Sequence, residues 1–191
     1  MKNWFLILIC CGLIASCGSS KKISKSVYKG KYDRSISKRD YKNKKSGIEK
    51  PVSRDFKEES PEATELATRV VNYAKSYMGT KYQYGGMSEK GMDCSGLIYL
   101  SFLNAGDIFL PRSSREIAKQ GKRIKLNEVR EGDLVFFKTN SRNVINHLGL
   151  VVKNRNGNVE FIHSSTKKGV MISRLKEAYW QKSFVEARRI L

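Results

Sequence analysis

Three residues of this chain have the types needed for nucleophilic chemistry: Cys94, His147 and His163. With four Cys and two His in 191 residues, few others compete for the role. A thiolate is a strong nucleophile, an imidazole can take the thiol proton, and a group on the far ring nitrogen can fix the tautomer. Cys94 stands in Gly91-Met92-Asp93-Cys94-Ser95-Gly96, where a helix is predicted to begin. Amides and the dipole at a helix amino terminus favour negative charge, so this placement is expected to lower the thiol pKa and to hold an oxyanion. A second use stays open: Cys94, Ile98, Phe102 and Ala105 fall on one helical face, which suits a small core residue. Polar Asp93 and Ser95 beside the thiol speak for exposure instead.

His147 opens one predicted strand and His163 closes the next, with Asn154-Arg155-Asn156-Gly157 between them. A two-residue turn at Asn156-Gly157 would pair His147 with Thr166, three places from His163, and would turn the two rings to opposite faces. A shared site therefore requires a loop with an odd residue count, or a bulge, that puts both rings on the face towards Cys94. With that geometry His147 accepts the thiol proton and His163 holds its other nitrogen. Zinc could use the same three residues, but a structural zinc site needs four ligands and no C-x-x-C occurs, so no metal is expected.

The elements that must position these groups follow from pattern. Ser60-Pro61-Glu62 reads as a cap, a proline at the first helical position and an acidic first turn; Leu66, Val70, Tyr73 and Tyr77 then recur at helical spacing up to Gly79. A second helix is predicted over 94–105 and a third over 114–120. Strands are predicted over 133–138, 147–153, 159–163, 170–173 and 184–190, with a helical turn over 175–180. Helices first and strands afterwards predict an α+β domain over 61–191, its helices packed on an antiparallel sheet. No glycine-rich phosphate loop or internal repeat is present.

Ahead of that domain the sequence reads as an address and a tether. Met1-Lys2-Asn3 is followed by eleven mostly apolar residues, Trp4 to Ile14, too few to span a bilayer but suited to an export signal over 1–16. Leu13-Ile14-Ala15-Ser16-Cys17 resembles a lipobox, which implies acylation of Cys17 and a mature chain that begins there. Cys10 and Cys11 would leave with the signal, so Cys94 has no partner for an internal disulfide. From Gly18 to Ser60 there are 14 Lys or Arg against 6 Asp or Glu and no sustained period, the composition of a flexible basic tether. The formal net charge of +19 calls for a polyanion. For an exported lipoprotein that means head groups or acidic wall polymer, and no nucleic acid.

The domain is similar to the NlpC-type family of bacterial cell-wall endopeptidases, papain-like cysteine peptidases that cleave peptidoglycan stems. The resemblance runs from about Leu66 to the carboxyl terminus. It rests on Tyr82-Gln83-Tyr84-Gly85-Gly86, Asp93-Cys94-Ser95-Gly96, Leu110-Pro111-Arg112-Ser113, Gly132-Asp133-Leu134-Val135-Phe136-Phe137, His147-Leu148-Gly149-Leu150 and Phe161-Ile162-His163-Ser164-Ser165. The tail, with Tyr179-Trp180 and Glu186-Ala187-Arg188-Arg189, is similar to that of enterobacterial lipoprotein endopeptidases that cut cross-links between stems. The resemblance implies a papain-like fold and no cofactor. It makes Cys94 the nucleophile, His147 the base and His163 the orienting residue, places the Tyr82 hydroxyl near the thiol to assist the intermediate, and sets Arg112 and Ser113 along the substrate groove. A longer, Asn-rich turn between the histidine strands departs from the family pattern. The expected partners are peptidoglycan and, through the lipid, an outer membrane facing the periplasm. Two rivals remain: a non-catalytic wall-binding lipoprotein on the same fold, and an amidase or acyltransferase with another substrate.

Overall fold

The computed structural model describes residues 60–191. The expected export signal, Cys17 and all but the last residue of the expected tether lie outside the described residues. Helix α1 spans Pro61–Ser76; the Ser60 side chain caps it by accepting from the Ala63 amide at 3.2 Å, an arrangement that contributes about 1 kcal/mol. Helix α2, Cys94–Gly106, is buried along its first ten residues, because α1 covers one side of it and the sheet the other. Its chain exit is a left-handed Asp107. Helix α3 is one turn, Ser114–Ile117, shorter than predicted.

The strands are β1 (Met87–Ser88), β2 (Gly91–Met92), β3 (Lys122–Ile124), β4 (Leu134–Phe137), β5 (His147–Arg155), β6 (Asn158–Ser165), β7 (Gly169–Arg174) and β8 (Phe184–Arg189). Helix α4, Ala178–Ser183, precedes β8. Strands β1 and β2 form a small hairpin of their own. The other six make one antiparallel sheet in the order β3-β8-β4-β5-β6-β7. The predicted α+β class holds, and the predicted strands are all present with ends moved by up to two residues. Missed were β1, β2 and β3, each two or three residues long and too short to display a period.

Both faces of the sheet are covered. Leu134, Phe136, Leu148, Leu150 and Ile162 pack against Val70, Val71, Leu97, Ile98 and Phe102 of the helices. Val135, Phe137, Val151, Phe161 and Ala187 form a second cluster on the other face, with Trp180 and Phe184 against it. Burial on both faces explains why β4 reads Leu-Val-Phe-Phe without alternation. The last strand is inserted between β3 and β4 and locked there: Arg189 donates from Nε and Nη2 to the two carboxylate oxygens of Asp133, each at 2.8 Å. Among the described residues no helix is long and apolar enough to cross a membrane.

Candidate active site

The hairpin β5-β6 decides whether the histidines can meet. Its turn is the two-residue Asn156-Gly157, both with positive φ, the geometry that matches strand twist and that Asn-Gly favours. The turn itself is therefore two residues long, not the longer loop expected. Next to the turn Asn154 pairs with Val159, but beyond a bulge between Val151 and Lys153 the partners become Val151 with Phe161 and Leu150 with Ile162. One extra residue, Val152, restores the parity that a two-residue turn denies. The predicted bulge is present, and the rings meet: His147 Nε2 lies 3.0 Å from His163 Nδ1.

The face on which they meet differs from the expected one. His147 pairs with Phe137 and His163 lies two residues from Phe161, so both rings stand on the face of the second cluster. Cys94 belongs to the helix-side core. The β5-β6 pairing stops at Leu150 and Ile162, and Cys94, the first residue of α2, meets β5 just beyond this end, at Leu148. There the sulfur accepts hydrogen bonds from the backbone amides of Leu148 and Ser95. Thiol and imidazole are neighbours through a single peptide unit, that of His147 and Leu148.

The residues around the thiol are tightly fixed. Asp93 caps α2 by accepting from the Gly96 amide at 2.7 Å, and its other oxygen accepts from the Gly85 amide at 2.8 Å. Arg112 grips both oxygens, Nη1 to Oδ1 at 2.7 Å and Nη2 to Oδ2 at 3.0 Å, and also donates to Ser95 Oγ and the Gly86 carbonyl. Such a two-pronged pair fixes geometry as well as charge. Gly96 is required here, since a Cβ at this position would run into the Gly86 carbonyl oxygen. Burial pushes the Asp93 carboxyl up, but Arg112 and the amides of Gly96 and Gly85 outweigh it and hold the group below its ordinary value. Arg112 is thus a clamp between the Gly85-Gly86 loop and the helix start. Ser113 is the cap of α3, accepting from the Glu116 amide at 3.3 Å.

The expected lowering of the thiol pKa is overturned. Burial pushes Cys94 up to about 11, with Asp93 adding to the rise, and the amides of Leu148 and Ser95 only partly oppose it. Desolvation lowers His147 to about 4, and His163 to about 3 with help from its neighbour. At neutral pH the resting pair is therefore a thiol and a neutral imidazole. Through its backbone Tyr82 bridges Met92, two residues from the thiol in sequence. Its hydroxyl pKa is raised by burial first, then by Cys94 and Asp93.

Two site residues escaped sequence reasoning. Ser173, 4 % exposed, places Oγ 3.1 Å from His163 Nε2, and so extends the pair into a chain of three. Its signal is positional: it pairs with Phe161, two residues from His163 on the same face. Trp180 stacks on His147, centroids 5.4 Å apart at 21°, and meets His163 edge-on at 4.7 Å. Asn146, the residue before His147, is anchored to Thr139, accepting from its amide at 2.8 Å and donating to its hydroxyl at 2.9 Å. Among the described residues no group of three or more His, Cys, Asp or Glu could hold a metal.

Comparison with known proteins places the chain among relatives. The chain is 46 % identical over 116 residues to the Escherichia coli protein called probable endopeptidase NlpC, covering 61 % of this chain and 73 % of that one. It is 36 % identical over 140 residues to the Escherichia coli murein DD-endopeptidase MepS/murein LD-carboxypeptidase, covering 73 % and 71 %. Among solved structures, a Staphylococcus aureus protein described as similar to lipoprotein of the NLP/P60 family superposes with a TM-score of 0.59 at 29 % identity, over 71 % of this chain and 43 % of that longer one. The family model described as NlpC/P60 matches residues 79–189, which hold every residue of the thiol and imidazole arrangement above, and on that ground the chain belongs to the NlpC/P60 family.

Proposed function

We propose that this protein is a lipid-anchored peptidoglycan endopeptidase that hydrolyses amide bonds in stem peptides or their cross-links. The hydrolase class follows from family membership and from relatives called murein endopeptidases. The Cys-His-His mechanism, the anchor and the envelope address are this reading's further content.

Proton direction follows from which atoms are engaged. His147 Nε2 is committed to His163, which leaves Nδ1 to serve Cys94. For Nδ1 to accept a proton, Nε2 must carry the hydrogen and donate it to His163 Nδ1, and His163 must then donate from Nε2 to Ser173 Oγ. Because the resting pair is neutral, the thiol proton passes to His147 as sulfur attacks the carbonyl carbon. The Gly96 and Leu97 amides are taken by Asp93 and the Ser95 amide by the sulfur, so that of Cys94 is the helix-start donor left for the oxyanion, with the Tyr82 hydroxyl to assist it. His147 then gives its proton to the leaving nitrogen, and water cleaves the thioester to a carboxylic acid and free thiol.

The observation that carries this reading is the 3.0 Å contact of the two imidazoles beside a thiol held by the amide of Leu148. A domain with 22 Lys or Arg against 12 Asp or Glu from Pro61 onward suits a wall polymer rich in carboxylates. Acylation at Cys17, a basic tether over 18–60 and an outer-membrane address would confine the activity to nearby wall. Purified muropeptides incubated with wild type and with Cys94→Ala, resolved by chromatography and mass spectrometry, test the enzyme claim. Cleavage by wild type alone is the expected result; equal products from both, or none from either, would overturn it in favour of a wall-binding protein. Product masses distinguish hydrolysis from acyl transfer. The intact mass of membrane-extracted protein tests Cys17.

A further inference from the structure

A cavity of about 390 Å³ opens beside the imidazole pair, walled by His147, His163 and Trp180, with Lys167, Lys168 and Glu177 also around it. Resting on the hydrolase reading above, we propose that this cavity receives the amine-side half of the scissile bond and that Lys167 and Lys168 bind a free carboxylate carried by that half. The substrate class is a peptide whose amine-side residue is an amino acid with an unblocked carboxylate a few bonds from the scissile nitrogen.

Direction comes from the chemistry. The acyl half stays bonded to Cys94 when the C–N bond breaks, whereas the leaving nitrogen must lie against the imidazole that protonates it. Whatever is attached to that nitrogen lies next to His147, and the cavity that His147 borders, and that Cys94 does not line, is the space assigned to it.

Charge comes from the turn between β6 and β7. Lys167 and Lys168 are exposed, and neither has an ion-pair partner among the described residues. The turn is held in place: Val170 N–H donates to the Thr80 carbonyl and Gly79 N–H to the Val170 carbonyl, both at 2.8 Å, and Lys168 N–H donates to Ser165 Oγ at 3.3 Å. Glu177, the opposing charge, already accepts from the Arg174 amide at 2.7 Å. The imidazoles are neutral at the pH of the periplasm, so the lysines supply the positive charge of the cavity. The Trp180 ring gives the same residue an apolar wall to lie against.

Two synthetic peptides, identical on the acyl side and ending in an amine-side residue as free acid or as carboxamide, test the inference. Wild type should cleave the acid with kcat/KM about tenfold above the amide. The double variant Lys167→Ala, Lys168→Ala should lose about tenfold on the acid through KM, with kcat within twofold, and lose nothing on the amide. Lys167→Glu with Lys168→Glu should reverse the preference. Equal use of both peptides by wild type, or an equal loss on both in the double variant, would overturn the assignment while leaving the hydrolase reading intact. No turnover of either peptide or of muropeptides by wild type would overturn both.

Discussion

His147 and His163 lie in hydrogen-bond contact, Nε2 to Nδ1 at 3.0 Å, across a hairpin whose two-residue turn would have turned them apart had Val152 not bulged out of register. A bulge is often treated as local irregularity, but here one residue carries the parity of the site. In the proposed mechanism the contact also sets chemistry, because it engages one nitrogen of His147 and leaves the other for the thiol. The rings are then closed off by Trp180 and terminated by Ser173.

Ser173 acts through His163 as a positioning residue. Replacing it with Ala removes the acceptor that holds the Nε2–H tautomer, so kcat should fall about ten- to a hundredfold with KM nearly unchanged. Ser173→Thr should recover most of the loss. Steady-state kinetics on a defined peptide will decide, and a change confined to KM would count against the tautomer role.

Arg112 and Asp93 are predicted to be an obligatory pair. Arg112→Ala strands a carboxylate that is only 7 % exposed, and breaking such a pair costs about 3 kcal/mol, taken at the low end because Arg112 keeps some solvent contact. Arg112→Lys should recover little, since an ammonium cannot grip two oxygens and the Gly86 carbonyl together. Urea unfolding would read both variants; a loss under 1 kcal/mol for Arg112→Ala would show that the clamp is dispensable.

Acid should weaken the fold in a window set by the histidines. Their native pKa values, about 4 and about 3, lie below the ordinary value of about 6.5, so the unfolded chain binds more protons between those limits. Stability therefore falls as pH drops from about 6.5 towards 4, by several kcal/mol in total. Asp93, held low, adds its loss only at still lower pH. Unfolding free energies at pH 7.5 and 4.5 should differ more in wild type than in His163→Asn. The acid limb of kcat/KM should likewise lie well below pH 6.5, because only the neutral imidazole accepts the thiol proton.

Gly96→Ala opposes two effects whose sizes differ. Alanine favours a helix interior by up to about 1 kcal/mol, while overpacking costs about 1–3 kcal/mol, and the added methyl meets a backbone oxygen that α2 and Arg112 hold in place. Destabilisation with loss of activity is the expected outcome, read by thermal melting and peptide cleavage. A more stable, fully active variant would mean that the Gly85-Gly86 loop moves freely.

By itself the chain of residues determined the order of helices and strands, a cysteine at a helix start, and the demand for an odd loop or a parity-restoring bulge, because caps, periods and strand alternation are local physics that short stretches of sequence express. Cys94, His147 and His163 were legible for the same reason: chemistry restricts which side chains can do the work. Tertiary structure alone decided that Arg112 clamps Asp93 and that Ser113 caps α3. It also decided that the rings stand on the Trp180 face, that Ser173 ends the chain, and that the thiol rests protonated. Each of these depends on which distant groups are brought together and how much water is excluded, and desolvation of Cys94 outweighs the helix-start amides only once the core has closed around it.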